Sequence, residues 1–263
     1  MARSRPSRGR SQSLAALTDT GMLLRLEGTT LILLTADMEQ SQTDLAAPER
    51  LEFEYMQHLD LLLDARVSGN EKLRILHAGA GACSLPLAWR ASRNATQVAV
   101  DPDGKLLDLL REWELVRPGT LKLRHGDARA VLEGSVRTYD VVVRDAFDGN
   151  KTPVELSNLA WAQLVRSRLN EGGSYLANIA HGGGLSGKAD VAATLETFDQ
   201  ALIVTDRKVW KGARLGNLAL MAWNGQGIET DRLEAELRRL PLPVALYRPS
   251  QIRSWLGGAL PVL

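Results

Sequence analysis

The chain has 263 residues, of which 44% are hydrophobic and 24% charged, a balance typical of a folded globular protein and not of a disordered or fibrous one. The net charge of +1 gives no general attraction to nucleic acid or to an acidic membrane. Cys83 is the only cysteine, which excludes an intramolecular disulfide, and no apolar run approaches the roughly 20 residues of a membrane span. We therefore expect a cytoplasmic protein that binds small molecules.

The N-terminal part of the chain divides into a tail and a small region with two kinds of pattern. Residues 1–13 set four arginines among serine, proline and glycine, which predicts a disordered basic tail; a nucleic-acid-binding arm is the alternative. Residues 14–69 form the second region. Strand-like runs at 22–26 and 31–34 flank a turn-prone Glu-Gly pair and predict a β-hairpin, and leucines spaced three and four apart over 48–65 predict an amphipathic helix.

Regular alternation of strand and helix characterises residues 70–225. Apolar runs predict five strands there, at 73–78, 97–101, 121–125, 139–145 and 174–180. The segments between them predict helices, so we expect an α/β fold with a mostly parallel sheet covered on both faces. Two further runs, 202–210 and 216–223, predict a closing antiparallel pair, and residues 226–263 predict a C-terminal helical extension. Sheets of this kind bind ligands at the carboxyl ends of their strands.

Candidate ligand-binding residues follow the first three of these strands. Gly79 and Gly81 form a turn before a helix, where the backbone can approach a nucleoside, although a plain strand–helix turn is the alternative. Asp101, after the second strand, can accept hydrogen bonds from a ribose or cap the next helix. Asp127, followed by Ala128, can accept from an exocyclic amino group or, again, cap a helix.

Two carboxylates three residues apart end the fourth strand. Asp145 and Asp148 follow a buried β run directly, so both should lie at the ligand-binding edge of the sheet. A carboxylate in this place can hold a cationic amine or take a proton from it. The alternative is a loop with two solvated aspartates.

In order and spacing, the stretch from about residue 39 to residue 223 resembles the polyamine aminopropyltransferases, of which spermidine synthase is the familiar member. The resemblance implies a class I S-adenosylmethionine-type Rossmann-like fold with a small N-terminal β-hairpin region. It also implies transfer of an aminopropyl group from decarboxylated S-adenosylmethionine, the co-substrate, to a polyamine such as putrescine. Neither a prosthetic group nor a metal is implied, and a homodimer is a further expectation.

The resemblance assigns further roles residue by residue. The family's catalytic Asp-x-x-Asp motif matches Asp145 and Asp148, which implies a catalytic base at Asp148 and an ammonium-anchoring role for Asp145, although either carboxylate could be the base. Tyr55 matches a tyrosine that positions the amine. Trp210 aligns with a substrate-contacting tyrosine, and Gln40 with a glutamine near the gate of the site. Gly79, Gly81, Asp101, Asp127 and Ala128 would surround the nucleoside.

The chain departs from the family pattern at several positions: Met56 replaces a glutamine, Gly149 a proline and Trp210 a tyrosine, and two further changes remove carboxylates. Ala80 stands where the family has an acidic residue in the glycine turn, and Ala99 replaces its ribose-binding glutamate. Losing two charged hydrogen bonds would weaken a nucleoside donor by roughly two orders of magnitude or more. Two alternatives therefore stay open: an S-adenosylmethionine-dependent methyltransferase of the same fold, and a degenerate binding protein that has lost turnover. Asp148 speaks against the second.

Overall fold

Two β-sheets organise the computed structural model, which describes residues 13–36, 38–67, 70–116, 119–149 and 151–263. The predicted basic tail lies outside the described residues, except for its last residue, Ser13, where the first strand begins. The smaller sheet precedes the larger one in the chain.

The smaller sheet has four antiparallel strands in chain order: β1 Ser13–Leu17, β2 Leu23–Glu27, β3 Thr30–Thr35 and β4 Met38–Asp44. Strands β2 and β3 are the predicted hairpin. Strand β4 was not expected, because its sequence is polar. Its buried side chains are Ser41 and Thr43, whose hydroxyls both hydrogen-bond the hydroxyl of Ser84, so hydroxyl pairs replace the apolar contacts that mark a strand.

The larger sheet has eight strands in the order β12-β10-β11-β9-β8-β5-β6-β7. Strands β5 to β9 are parallel, whereas β11, β10 and β12 continue the sheet antiparallel. The strands are β5 Leu73–Ala78, β6 Ala95–Asp101, β7 Leu121–His125, β8 Tyr139–Arg144, β9 Leu169–His181, β10 Gln200–Thr205, β11 Gly216–Trp223 and β12 Ala245–Tyr247.

Helices cover both faces of this sheet. They are α1 Glu54–Asp64, α2 Ser84–Ser92, α3 Gly104–Glu112, α4 Ala128–Glu133, α5 Leu159–Arg168, α6 Lys188–Thr197, α7 Arg207–Trp210, α8 Asp231–Leu237 and α9 Pro249–Leu256, with a short 3₁₀ helix at Val154–Leu156. Side chains alternate between the faces along each strand. Val142 therefore packs with Trp161 in one buried cluster, and its neighbour Val141 packs with Trp89 and Trp223 in another.

The structure corrects three of the predicted boundaries. The strand expected over 202–210 ends at Thr205, because Asp206 caps the short helix α7 by accepting from the backbone N–H groups of Lys208 and Val209. The C-terminal segment 226–263, expected to be helical, also adds β12 to the edge of the main sheet. Helix α1 begins at Glu54 and not near residue 48, since Leu51 still forms a β-bridge with Thr43.

The carboxylate of Asp103 is one of the groups that attach the smaller sheet to the main domain. Asp103, 1% exposed, accepts at Oδ1 from the N–H groups of Asp19, at 3.1 Å, and Leu106, at 2.8 Å. Its Oδ2 accepts from the N–H and the hydroxyl of Thr20, at 3.0 and 2.6 Å. Asp103 thus caps α3 and holds the β1–β2 turn at the same time.

The protonation of Asp103 should make this attachment sensitive to acid. Burial raises the pKa of Asp103, but hydrogen bonds, above all from Thr20, outweigh burial and lower it from 3.8 to about 2. A carboxylate whose pKa is depressed in the folded state contributes stability above its unfolded pKa and loses it as the pH falls through the folded one.

We expect Asp103→Asn to lower the free energy of unfolding by about 2 kcal/mol near neutral pH, and by progressively less between about pH 4 and pH 2. Urea denaturation at a series of pH values measures this difference. The control is Asp108→Asn on the exposed face of α3, which should change stability little at any pH. A deficit for Asp103→Asn that is the same at every pH would contradict the expectation.

Candidate active site

A cavity of about 810 Å³ lies at the carboxyl ends of β5, β6 and β8. The smaller sheet and the start of α1 line its other side, through residues such as Leu33, Gln40, Phe53 and Tyr55. This volume falls within the roughly 300–1,000 Å³ of small-molecule sites in proteins. The position agrees with the rule that open α/β sheets bind ligands outside the carboxyl ends of their strands.

The structure brings nine of the ten predicted site residues to this cavity. They are Gln40, Tyr55, Gly79, Gly81, Asp101, Asp127, Ala128, Asp145 and Asp148. The tenth, Trp210, lies elsewhere: its ring stacks on Tyr247 and Trp255, with ring centroids 3.7 and 4.4 Å apart. Trp210 is therefore not among the described residues that line the cavity, because its ring packs against the C-terminal segment.

The glycine turn after β5 is pressed against the end of β8. Gly79 adopts a φ of +96°, and a Cβ at this position would lie 2.1 Å from the backbone oxygen of Asp145. The N–H of Asp145 donates to the carbonyl of Ala78 at 2.9 Å, so the two strand ends are joined directly. The turn thus needs glycine for close approach as well as for its backbone angle.

Asp101 accepts hydrogen bonds from the backbone of the glycine turn and does not cap the following helix. Its Oδ2 accepts from the N–H groups of Ala80 and Gly81, at 2.9 and 3.3 Å, and its Oδ1 from that of Asp103, at 3.0 Å. Burial raises the pKa of Asp101 against the lowering effect of these three hydrogen bonds. The capping alternative is therefore wrong for Asp101, since Asp103 caps α3.

Asp145 is held by two donors from different parts of the chain. The Tyr55 hydroxyl of α1 donates to Oδ2 at 2.9 Å, and the Asn178 amide of β9 donates to Oδ1 at 2.9 Å. Burial raises the pKa of Asp145, while the hydrogen bonds from Asn178 and Tyr55 oppose that rise. Burial and the neighbouring carboxylate raise the pKa of Tyr55 well above 10.0, so its hydroxyl remains a donor.

Asp148 and Asp127 stand in more open surroundings. The side chain of Asp148 is exposed at the rim of the cavity, in a turn whose backbone pairs with Lys151. Asp127, also exposed, uses Oδ1 to cap α4 through the N–H of Ala130 at 2.7 Å. The capping role considered for Asp127 is thus present, and its other oxygen is the one available to a ligand.

Two polar residues of the site were missed from the sequence. Asn178 is a single amide inside an apolar strand run, and Arg144 precedes Asp145 within the buried β8. The guanidinium of Arg144 donates to the backbone oxygen of Asn178 at 3.0 Å. The only sequence signal was that both residues lie near the carboxyl ends of predicted strands, where functional groups gather.

The described lining of the cavity is strongly acidic. It contains seven carboxylates and neither a lysine nor an arginine: Glu39, Asp101, Asp103, Asp127, Asp145, Asp148 and Glu155. A concave site lined by one sign of charge concentrates ligands of the opposite sign. Within the described residues, no group of three or more His, Cys, Asp or Glu side chains is arranged to hold a metal ion, and no helix could cross a membrane.

The two alanines that depart from the family pattern differ in their surroundings. Ala80 lines the cavity within the glycine turn. Ala99 is fully buried and packs in an apolar cluster with residues such as Leu106 and Cys83, so it is not among the described residues that line the cavity. Ala99, the position to which the resemblance assigns a ribose-binding carboxylate, thus contributes to core packing.

We expect Gly79→Ala to lower the free energy of unfolding by about 3 kcal/mol or more, because the added methyl group meets a fixed backbone oxygen at a strained φ. The matched control is Gly28→Ala, which has a φ of +62° but nothing within 4 Å of the added carbon. That variant should lose only about 1–2 kcal/mol, from the backbone alone. Chemical denaturation measures both losses. If the two variants lost the same unfolding free energy, the backbone oxygen of Asp145 would be free to move away from the added methyl group.

Comparison with known proteins gives one curated relative. The chain is 31% identical over 106 residues to a probable polyamine aminopropyl transferase of Bifidobacterium longum, strain NCC 2705. The match covers 40% of this chain and 23% of the relative, so the chain spans about a quarter of that protein's length. No protein-family model matches the chain.

Solved structures match over much more of the chain. A probable spermidine synthase from Corynebacterium glutamicum ATCC 13032 superposes with a TM-score of 0.84 at 27% identity, covering 95% of each chain. Spermidine synthase from Thermotoga maritima gives a TM-score of 0.59 at 12% identity, over 94% of this chain and 84% of that one. Human methyltransferase-like protein 13, solved with SAH, gives a TM-score of 0.58 at 18% identity, over 78% of this chain and 93% of that one. The last two show the fold alone.

These likenesses confirm the class of protein: an α/β chain with the class I S-adenosylmethionine-type Rossmann-like fold, a mostly parallel sheet and a small antiparallel N-terminal sheet. The resemblance to the polyamine aminopropyltransferases is confirmed as well. The chain is similar in sequence to a probable polyamine aminopropyl transferase over 106 residues, and in fold to a probable spermidine synthase over nearly its whole length.

Proposed function

We propose that this protein is an aminopropyltransferase-like enzyme that alkylates an amine with decarboxylated S-adenosylmethionine, a sulfonium nucleoside. The observation that carries the proposal is the partly buried carboxylate of Asp145, held by Tyr55 and Asn178 in an acidic cavity. Both substrates of such a reaction are cations, and the seven lining carboxylates favour cations over phosphorylated or carboxylated ligands. The acceptor would be a polyamine such as putrescine.

The reaction requires one proton transfer and one substitution. Asp145 takes a proton from the ammonium of the acceptor, which frees the nitrogen lone pair. The nitrogen then attacks the methylene carbon next to the sulfonium; the new C–N bond forms as the C–S bond breaks, and its electron pair neutralises the sulfur. Methylthioadenosine leaves, and the proton on Asp145 passes to solvent.

Asp145 suits the role of base better than Asp148, which the motif resemblance had suggested. Burial raises the pKa of Asp145, which makes its carboxylate a stronger base, and two hydrogen bonds fix its orientation. Asp148 is exposed at the rim, where it would attract the second ammonium of a diamine. The two carboxylates would thus exchange the roles first expected for them.

The nucleoside would lie along the ends of β5, β6 and β7. The turn formed by Gly79 and Gly81 offers close backbone approach, and Asp101 keeps that turn in shape. Asp127, next to Ala128, would accept from an exocyclic amino group through Oδ2. Gln40 of β4 would close the site from the smaller sheet.

The choice of base is tested with two isosteric variants. We expect Asp145→Asn to reduce methylthioadenosine release from decarboxylated S-adenosylmethionine and putrescine by about 10²–10⁴-fold, because the proton acceptor is lost. Binding of methylthioadenosine, measured by calorimetry, should remain. Asp148→Asn should mainly raise the KM for the amine. If Asp148→Asn lost turnover and Asp145→Asn kept it, Asp148 would be the catalytic base.

Methyl transfer from S-adenosylmethionine is the second candidate, and Ala80 is the observation that favours it. Without an acidic residue in the glycine turn, the ammonium of a decarboxylated donor has no partner there, and the carboxylate of S-adenosylmethionine is not repelled. Such an enzyme would release S-adenosylhomocysteine. A degenerate protein would release neither product, and calorimetry would detect no heat with methylthioadenosine or S-adenosylhomocysteine if the nucleoside site were also lost.

A charge placed at residue 80 distinguishes the two donors. If the donor is decarboxylated S-adenosylmethionine, Ala80→Asp should tighten its binding by about tenfold or more, through one charge-assisted hydrogen bond. The same variant should weaken the binding of S-adenosylmethionine. Ala80→Asn is the uncharged control of equal size, and calorimetry measures all three proteins. Tighter binding of S-adenosylmethionine by Ala80→Asp would argue against the aminopropyl donor.

A further inference from the structure

A buried ion pair lies directly behind the proposed base. Arg144, the last residue of β8, is fully buried, and its Nη1 donates to Oδ2 of Asp190 in α6 at 2.6 Å. The carboxylate of Asp190 is itself about nine-tenths buried. The proposed reaction uses neither residue, and neither lines the cavity in the described structure.

The guanidinium of Arg144 joins three elements that surround Asp145. Besides α6, it reaches the 3₁₀ helix, where Nη1 donates to the carbonyl of Leu156 at 2.9 Å. It also reaches β9, where Nη2 donates to the carbonyl of Asn178 at 3.0 Å. Asn178 in turn donates its side-chain amide to Asp145. The loop that carries Asp148 runs between Asp145 and Leu156, so Arg144 fixes both ends of the acidic segment.

Stability alone does not account for such a pair. Removing two charges from water is unfavourable, and a buried ion pair contributes no more to stability than two apolar side chains of similar volume. An apolar pair, however, makes no directional hydrogen bonds. It would not hold the carbonyl groups of Leu156 and Asn178 at defined positions. The contacts of Arg144 therefore specify geometry around the base.

We propose that Arg144 is a positioning residue for Asp145, that Asp190 neutralises and orients it, and that the pair sets where the base and its Asn178 donor stand. The catalytic part of this inference rests on the proposed aminopropyl transfer, whereas its electrostatic part does not. In this arrangement the two residues act through other groups and touch no substrate.

The charged and titratable groups around Asp145 give the expected sign. Tyr55 from α1 and Arg144 from β8 act on Asp145 directly, and Arg144 in turn faces Tyr175 of β9 and Asp190 of α6. Burial raises the pKa of Asp145, and the positive charge of Arg144 lowers it. Removing that positive charge should therefore raise the pKa of Asp145.

The test replaces both members of the pair, because a single change would leave one buried charge unpaired. We expect Arg144→Met/Asp190→Leu to fold with a melting temperature close to that of the wild type. Its kcat/KM should fall about tenfold or more, since the base is displaced, and the acidic limb of its pH profile should move to higher pH. The matched control is Arg93→Met, which removes the ion pairs of Arg93 with Asp60 and Asp64 on α1 and should leave both kinetic readouts unchanged.

A second readout does not depend on turnover. In protein labelled with ¹³C at aspartate carboxyls, the Asp145 signal is identified by its absence from Asp145→Asn and titrated in each variant. The double variant should titrate at higher pH than the wild type. Asp190→Asn keeps the side-chain volume but leaves the positive charge of Arg144 without its partner, so Asp145 should titrate at lower pH. This variant also tests the proposal if the double variant does not fold.

The possible outcomes separate the two hypotheses. If the wild type is inactive but the Asp145 titration shifts as expected in both variants, the proposed aminopropyl transfer is contradicted and the electrostatic role of Arg144 is supported. Active protein whose Asp145 titration and kcat/KM are unchanged in the double variant and in Asp190→Asn would overturn the positioning role.

Discussion

The burial of one carboxylate, Asp145, is the constraint on which the rest of the site depends. An ionised carboxyl group is expensive to remove from water unless hydrogen bonds replace its hydration. Here the replacements come from Tyr55 in the N-terminal region and Asn178 in β9, so the site exists only when both regions are assembled. Gly79 then packs against the backbone of the same residue, which brings the glycine turn after β5 next to Asp145.

Much of this architecture could be predicted from local sequence, and the exceptions have a common physical cause. Strand–helix alternation placed Asp101, Asp127 and Asp145 at one edge of a parallel sheet, because the carboxyl ends of parallel strands meet there. Strand β4 was missed because its buried side chains are hydroxyls whose partner, Ser84, lies some forty residues away. Residues whose role depends on a distant partner leave no periodic pattern.

The same reasoning applies to the errors at single residues. Trp210 was expected at the site but lies away from the cavity, since the cap at Asp206 begins helix α7 and the ring stacks on Tyr247. Apart from its place near a strand end, Arg144 gave no signal, because its partner, Asp190, is 46 residues away and reaches it only through the packing of α6. Of the two alanines that depart from the family pattern, only Ala80 lines the cavity, whereas Ala99 belongs to the core.

The acidic lining has a consequence for the empty protein. Seven like charges around one hollow repel each other, and those on opposite walls are only partly screened, since the Debye length at physiological ionic strength is about 8 Å. A cation that enters the cavity reduces this repulsion. Attraction by charge is unselective, so discrimination among cations must come from their length and from how well each fills the space between the two sheets.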